Sequence, residues 1–320
     1  MRYRDAGVDI ARGDSIKDAV IRQVRSTWNP AVVNLPGGFA GVMRWRGAEG
    51  GPLLLAATLD GVGTKLHLAM AAKRVSDAAA DLVYHGANDL LVYGARPLAF
   101  LDYIAQARLD LGGETAEMPD TYVAGVVDVA GCMIGSADPA ALLDGSGVRP
   151  GDILLGLASS GLHTNGYSLA RRVLESSGLG LGDPLPGGGG ESLGDALLAP
   201  HRWYGRSVLP LLREGRVRAL AHVTGGGIAT NLARVLPPAC GARLRATTWN
   251  MPPLMRWLIE AGEVPIEDAR SAFNLGIGLV VVSPIEAADA LRSDLERAGE
   301  RVARIGEVVA GEPAVEWVEG

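Results

Sequence analysis

The chain has 320 residues, 48% hydrophobic and 21% charged, with 44 glycines and a formal net charge of −6. That length suits two ordinary domains or one large one with a sizeable core, and the acidic balance excludes the basic footprint of a general nucleic-acid binder. Cys132 and Cys240 are the only cysteines, too few for a disulfide framework or a cysteine-rich zinc site. The start MRYRDAGVDIARGD has no apolar signal core, and no uncharged run reaches the roughly 18 residues of a membrane span, so a cytoplasmic protein with no membrane partner is expected.

In chain order, apolar spacing predicts a helix over 15–26 and a short strand over 42–45 after the turn-rich NLPGGFAG. The stretch LLLAATLDGVGTKL, 53–66, is organised differently from the rest. It runs as a buried strand and then breaks into Asp60, Gly61, Val62, Gly63, Thr64 and Lys65. Two glycines let successive N–H groups turn toward an anion, Lys65 adds a point charge, and Asp60 offers oxygen to a magnesium ion. Phosphate handling is the natural chemistry, although the Walker spacing is absent and an ordinary tight turn with a solvated acid and base has the same letters.

Helices follow over 66–73 and 78–93, the second carrying Asn88 and Asp89, an acid in an apolar helix that needs a partner or a cation. Strands are predicted over 98–105, with Asp102 in the middle, and over 122–135. Between them Gly112, Gly113, Glu114 and Thr115 repeat the chemistry of the Asp60 loop. The polar DGSGVRPGD near 144–152 marks the boundary between domains at 1–147 and 148–320.

The second half opens with a strand over 153–158, the loop SSGLHTNG with His163 and Asn165, and a helix over 167–177. The glycine-rich 178–194 reads as a flexible excursion. Helices are predicted over 201–214, 228–236, 253–261 and 286–298, and strands over 279–283 and 302–309. His222, Thr224, Gly225, Gly226 and Gly227 stand before one of those helices, where free N–H groups and the helix dipole favour an anion. Strict βαβ alternation is missing, so the expected class is α+β in two halves.

Taken together, DAGVDI, DGVGTKL, NDLLVYGARPLAFLDY, GGETAEMP, SSGLHTNGYSL, HVTGGG and FNLGIG resemble the phosphoribosylformylglycinamidine cyclo-ligase family over nearly the whole chain. The resemblance implies an N-terminal domain whose strands form a barrel with those of a second subunit, and a C-terminal sheet flanked by helices. It also implies an ATP-dependent ligase that turns formylglycinamidine ribonucleotide into aminoimidazole ribonucleotide, ADP and phosphate in purine biosynthesis. By the same resemblance Asp60, Asp89 and Glu114 hold magnesium, while Gly61, Gly63, Thr64, Asn88, Gly112, Gly113 and Thr115 serve ATP. Lys65 neutralises developing charge, and His222 handles a proton or orients the substrate. His163, Asn165, Asn274 and residues 224–227 face the substrate.

One departure stands out. Only residues 106–113 separate Ala105 from Glu114, where the family has a helix-length segment, so the first domain is expected to lack one crossover helix. The alternative functions are a homologue that binds nucleotide without turnover, or another ATP-using member of the superfamily, such as selenophosphate synthetase or thiamine-phosphate kinase.

Overall fold

The structure is a computed structural model, and it describes residues 20–21, 23–46, 51–106, 115–117 and 127–318. The first half builds a six-stranded sheet of β1 (Val32–Val33), β2 (Gly41–Arg46), β3 (Pro52–Gly61), β4 (Arg96–Gln106), β5 (Thr115–Glu117) and β6 (Val127–Ala137). Their spatial order is β1-β2-β3-β6-β4-β5. The central pairings are antiparallel, whereas β4 and β5 run parallel from Ile104 opposite Thr115. The expected missing helix, along with Gly112, Gly113 and Glu114, falls on residues outside the described ones.

Two helices, α1 (Lys65–Ala71) and α2 (Val75–Leu91), follow β3. Along α2 the buried positions Ala78, Asp81, Leu82, His85, Gly86 and Asp89 repeat at helical spacing, which defines one inward stripe. A Cβ on Gly86 would stand 2.9 Å from the Met133 Cβ. The bare glycine therefore lets α2 settle directly on the sheet.

In the second half a sheet of order β12-β9-β11-β7-β10-β8 is antiparallel except at β12–β9. It comprises β7 (Ile153–Ala158), β8 (Ala219–His222), β9 (Cys240–Arg245), β10 (Ile277–Ser283), β11 (Val302–Ala310) and β12 (Val315–Val318). Helices α3 (Tyr167–Ser177), α4 (Leu193–Leu198), α5 (Gly205–Val208), α6 (Gly227–Ala233), α7 (Pro253–Ala261), α8 (Ile266–Ala272) and α9 (Ile285–Arg297) accompany it. The chain is thus a mixed α/β protein with two sheets. Every residue of β10 is buried, as a continuous apolar strand in mid-sheet requires.

Two sequence expectations change here. The helix foreseen over 201–214 begins only at Gly205 and tightens into a 3-10 turn at Leu209–Glu214. The backbone just before it is bonded to side chains of α2 instead: Asp81 accepts from the His201 N–H, and Asn88 Oδ1 accepts from the Tyr204 N–H. The excursion at 178–194 is anchored, with Leu185 and Leu193 buried and Pro184 bridged to Ser192. Strands β8 and β9 and helix α8 carried no clear periodic signal.

The hydrophobic interior does not divide where the sheets do. One cluster joins Phe39, Leu54 and Leu90 to Leu154, Ala221 and Val280, and a second joins Leu66, Ala69 and Leu82 to Leu162, Leu169 and Leu198. Each fully buried leucine contributes about 1.5–3 kcal/mol, so much of the apolar stabilisation bridges the halves.

Candidate active site

The last turns of α2 and the end of β3 meet the second half at a knot of imidazoles. Four of the chain's five histidines, His85, His163, His201 and His222, gather there. All four are buried. Asp81, His85 and Asp89 stand at i, i+4 and i+8 on α2, and so lie above one another on its face toward the second half.

Each is held by a specific partner. His85 Nε2 lies 2.8 Å from Asp60 Oδ2 and 3.6 Å from Asp89 Oδ2. Its Nδ1 is 2.7 Å from Thr164 Oγ1. His222 Nδ1 is 2.7 Å from Asp89 Oδ1, and its Nε2 is 3.0 Å from His201 Nε2. This pattern assigns protons to His222 Nδ1 and His201 Nε2, because Asp89 only accepts and the next nitrogen must accept in turn. His163 Nε2 accepts from the Ser160 N–H at 3.2 Å. The Nδ1 atoms of His163 and His201 are buried without a hydrogen-bond partner.

The charges follow from these contacts. Burial pushes the His85 imidazole down, but Asp89, Asp60 and Asp81 outweigh it and raise it above its ordinary value. Burial dominates at His163 and His201, which are held well below theirs, with neighbouring histidines adding to the effect. His222 is also lowered by burial, against the opposing pull of Asp89. Burial would raise Asp60, yet the hydrogen bond and charge of His85 leave its carboxyl below the usual range. The neighbouring carboxylates thus favour the charged form of His85, whereas burial favours the neutral form of the other three rings.

The predicted residues separate into an open and a closed set. Asp60 keeps a side chain 52% exposed, with Oδ1 accepting from the Gly61 N–H at 2.7 Å. Gly63 is exposed at φ +67°, a left-handed conformation that suits glycine. Thr64 Oγ1 lies 3.3 Å from Ser168 Oγ. Asn165, Thr224, Gly225 and Gly226 are at least partly exposed, and Thr224 Oγ1 bonds Asn231 Oδ1 at 3.1 Å. Gly227, at φ +71°, has no room for a side chain, since a Cβ would stand 1.8 Å from the Arg270 carbonyl oxygen.

Lys65, His163, His222, Asn88, Asp89 and Asn274 are buried. Lys65, expected beside phosphate, is turned inward, with Nζ 2.5 Å from Asp81 and donating to the carbonyls of His163 and Ala199. Burial lowers its ammonium even though Asp81 pulls the other way. Asn88 donates to the Arg202 carbonyl at 2.8 Å, and Asn274 donates to the Gly161 carbonyl at 2.8 Å. Both therefore hold loops in place. Thr115 begins β5.

Sequence reasoning passed over Asp81, His85 and His201. The four-residue spacing of Asp81, His85 and Asp89 was the available signal for the first two. His201, in an irregular segment, had none. A cleft of about 830 Å³ lies against Ser159, Ser160, Trp249, Arg256, Gly276 and Arg301, but contains none of the predicted residues.

Magnesium prefers an all-oxygen, near-octahedral shell. The donors nearest Asp89 are ring nitrogens of His222 and His85, so this buried centre does not fit a resident magnesium ion. Of the expected carboxylates among the described residues, Asp60 alone keeps substantial exposure.

Comparison with known proteins bears on the whole chain. Residues 37–137 match the AIR synthase related protein N-terminal domain, and residues 149–318 match its C-terminal domain. Phosphoribosylformylglycinamidine cyclo-ligase of Bordetella petrii is 42% identical, covering 97% of this chain and 95% of its own length. The protein of the same name from Methylobacillus flagellatus is 40% identical, covering 96% of this chain and 94% of its own. Among solved structures, a Thermus thermophilus protein superposes with a TM-score of 0.62 at 20% identity, covering 94% of this chain and 95% of that one. AaThiL complexed with AMPPCP and TMP gives 0.59 at 12%, covering 94% and 92%. T. maritima PurL complexed with FGAR gives 0.57 at 16%, covering 92% of this chain and 46% of that one. Those distant likenesses speak for the fold alone. The near full-length identity to the curated relatives goes further, and the chain belongs to the phosphoribosylformylglycinamidine cyclo-ligase family.

Proposed function

We propose that this chain is a cytoplasmic ATP-dependent ligase that closes formylglycinamidine ribonucleotide to aminoimidazole ribonucleotide, releasing ADP and phosphate. The observation that carries the proposal is 42% identity over 97% of the chain to a curated cyclo-ligase. The γ-phosphoryl group of ATP passes to the formyl amide oxygen and turns it into a leaving group. The amidine nitrogen then attacks that carbon, the ring closes, and phosphate departs with the oxygen. Such chemistry depends on positioning and charge stabilisation more than on covalent help from the protein.

In this reading Asp60, Gly61, Gly63 and Thr64 meet the nucleotide, with Asp60 toward the magnesium that ATP carries. Asn165 and residues 224–227 meet the ribonucleotide. His222 orients Asp89 through its Nδ1–H, and Lys65, His163, Asn88 and Asn274 fix the loops behind them. Gly112, Gly113, Glu114 and Thr115 complete the nucleotide side. The proposed division into domains at 1–147 and 148–320 is supported by the separation of the strands into two sheets. A homodimer is supported by one face of the first sheet, where Leu59, Leu101 and Tyr103 are exposed.

The test is product formation from formylglycinamidine ribonucleotide and ATP, followed by mass spectrometry. Aminoimidazole ribonucleotide is expected only with ATP, and Asp60→Asn is expected to lower its formation about 100-fold or more while the circular dichroism spectrum is unchanged. Undiminished turnover in that variant removes Asp60 from the reaction. ATP binding without any product favours the non-catalytic homologue.

A further inference from the structure

His201 comes from the irregular segment before α5, yet it is fixed at both backbone and ring. Its N–H donates to Asp81 Oδ1 at 2.6 Å, and that carboxylate is itself paired with Lys65. Its ring stacks on His163 at 3.9 Å and 21°, and His163 is pinned by the Ser160 N–H at 3.2 Å. So held, the ring aims Nε2 at His222 Nε2, 3.0 Å away, and leaves its own Nδ1 buried without a partner. Leaving a buried polar atom bare costs about 1–3 kcal/mol, a cost that an apolar ring of the same shape would not carry. Among the described residues, His222 is the one hydrogen-bond partner of the His201 ring.

That contact decides where His222 keeps its proton. Burial favours the neutral form of both rings, so each has one proton and two nitrogens to place it on. Asp89 Oδ1, 2.7 Å from His222 Nδ1, only accepts. With the His222 proton on Nδ1, Nε2 is a bare acceptor, and the His201 Nε2–H fills it. With the proton on Nε2 instead, a lone pair on Nδ1 faces the carboxylate and the bond to Asp89 is lost. His222 is 0% exposed, so bulk water does not replace His201. In a neutral imidazole the hydrogen bond made by one nitrogen sets the state of the other.

We propose that His201 is a positioning residue for the cyclo-ligase reaction: its Nε2–H holds His222 in the Nδ1–H form, and His222 in turn fixes Asp89. One Asp89 oxygen is then committed to His222, and the other stays turned toward His85 at 3.6 Å. His201 acts through these two groups rather than on the substrate. Its effect on turnover rests on the cyclo-ligase reading, whereas the arrangement of the protons does not.

The full chain, with isotope-labelled histidine nitrogens, would be read by long-range nitrogen–proton correlation NMR at about pH 8, above the ordinary imidazole range. Protonated and bare ring nitrogens separate in such spectra, and only five histidines need assignment. Wild-type His222 is expected to show Nδ1–H with a bare Nε2. His201→Phe keeps a flat ring against His163 without a donor, and His222 is expected to move its proton to Nε2. Given formylglycinamidine ribonucleotide, ATP and magnesium, this variant should lose about 10–100-fold in kcat with KM for either substrate little changed. His201→Gln, whose amide nitrogen can stand where Nε2 stood and donate, should keep the wild-type form of His222 and most of the turnover. An unchanged His222 in His201→Phe, an equal loss of kcat in both variants, or a wild-type His222 with its proton on Nε2 would overturn the proposal. If His201→Phe fails to fold, the wild-type spectrum and His201→Gln still decide it. Wild-type protein that forms no product would sink the cyclo-ligase reading instead, and its spectrum would still report the proton arrangement.

Discussion

An ammonium without access to water needs a counter-charge and acceptors, and Lys65 has both. Its side chain and that of Asp81 are fully buried, 2.5 Å apart, and two carbonyls of the second half take further Lys65 hydrogens. Removing one partner of such a pair strands the other charge, which costs about 3–5 kcal/mol, whereas replacing both with apolar groups of similar size is close to neutral. Asp81→Asn is therefore expected to lower the free energy of unfolding by about that amount, and Lys65→Met combined with Asp81→Leu to recover most of it, as urea titration would read. An equal loss in the double variant would mean that the packing of these stems, not the pairing, matters. The sequence marked Asp60 and its glycines as a candidate, because a strand that ends in acid, glycines, hydroxyl and base can meet a phosphate as well as form an ordinary turn. It made Lys65 legible as important but not its direction: the same letters describe a lysine facing phosphate and one facing an acid sixteen positions later.

Helix α2 shows how one element is read by two different neighbours. Its small and apolar residues rest on the sheet, while Asp81, His85, Asn88 and Asp89 bond to the second half. Periodicity revealed the helix, since an inward stripe is inward whichever layer covers it. The second contact was hidden because its partners come from loops and from short β8, which have no period to detect. On the sheet's other face, Leu59 of β3 stands opposite Cys132 of β6, which stands opposite Leu101 of β4. Leu59 and Leu101 are 71% and 56% exposed, a row that a partner sheet would bury. Leu101→Asp is expected to convert a dimer to monomers in sedimentation velocity with the fold retained; a wild-type monomer at micromolar concentration would remove this face as an interface.

At the scale of the whole molecule, the buried imidazoles set the response to acid. His163, His201 and His222 have lowered values, so their contribution is present above about pH 6.5 and is lost as pH falls. Two groups act in the opposite sense. His85 is raised by its carboxylates, and burial, partly offset by Lys65, pushes Asp81 up to about 6. Their contributions are present at low pH and are lost as pH rises through those raised values. As pH falls from about 6.5 to 5 the unfolded chain takes up protons on these three histidines that burial resists in the folded chain, while Asp81 and His85 act against that loss. Three lowered groups against two raised ones predict a net loss of stability, at most about 1.4 kcal/mol per pH unit for each proton of difference, measurable as a falling urea midpoint. A flat midpoint across that range would mean that the rings are charged in the folded state. The two halves and the mixed class could be anticipated from strands and helices that mix without strict alternation, but the convergence of four histidines from four separate segments could not, since nothing local links them.

The shared interior has a consequence for how such a chain can change over generations. Leu54 and Leu90 share one cluster with Leu154 and Val280, and Leu66 shares another with Leu169 and Leu198, so two of the core clusters are built by both halves together. A crossover at the polar stretch near residue 147 would look harmless from the linker. It would succeed only when the incoming half matched both clusters and the hydrogen bonds along α2, so the halves are inherited as a pair rather than as exchangeable modules.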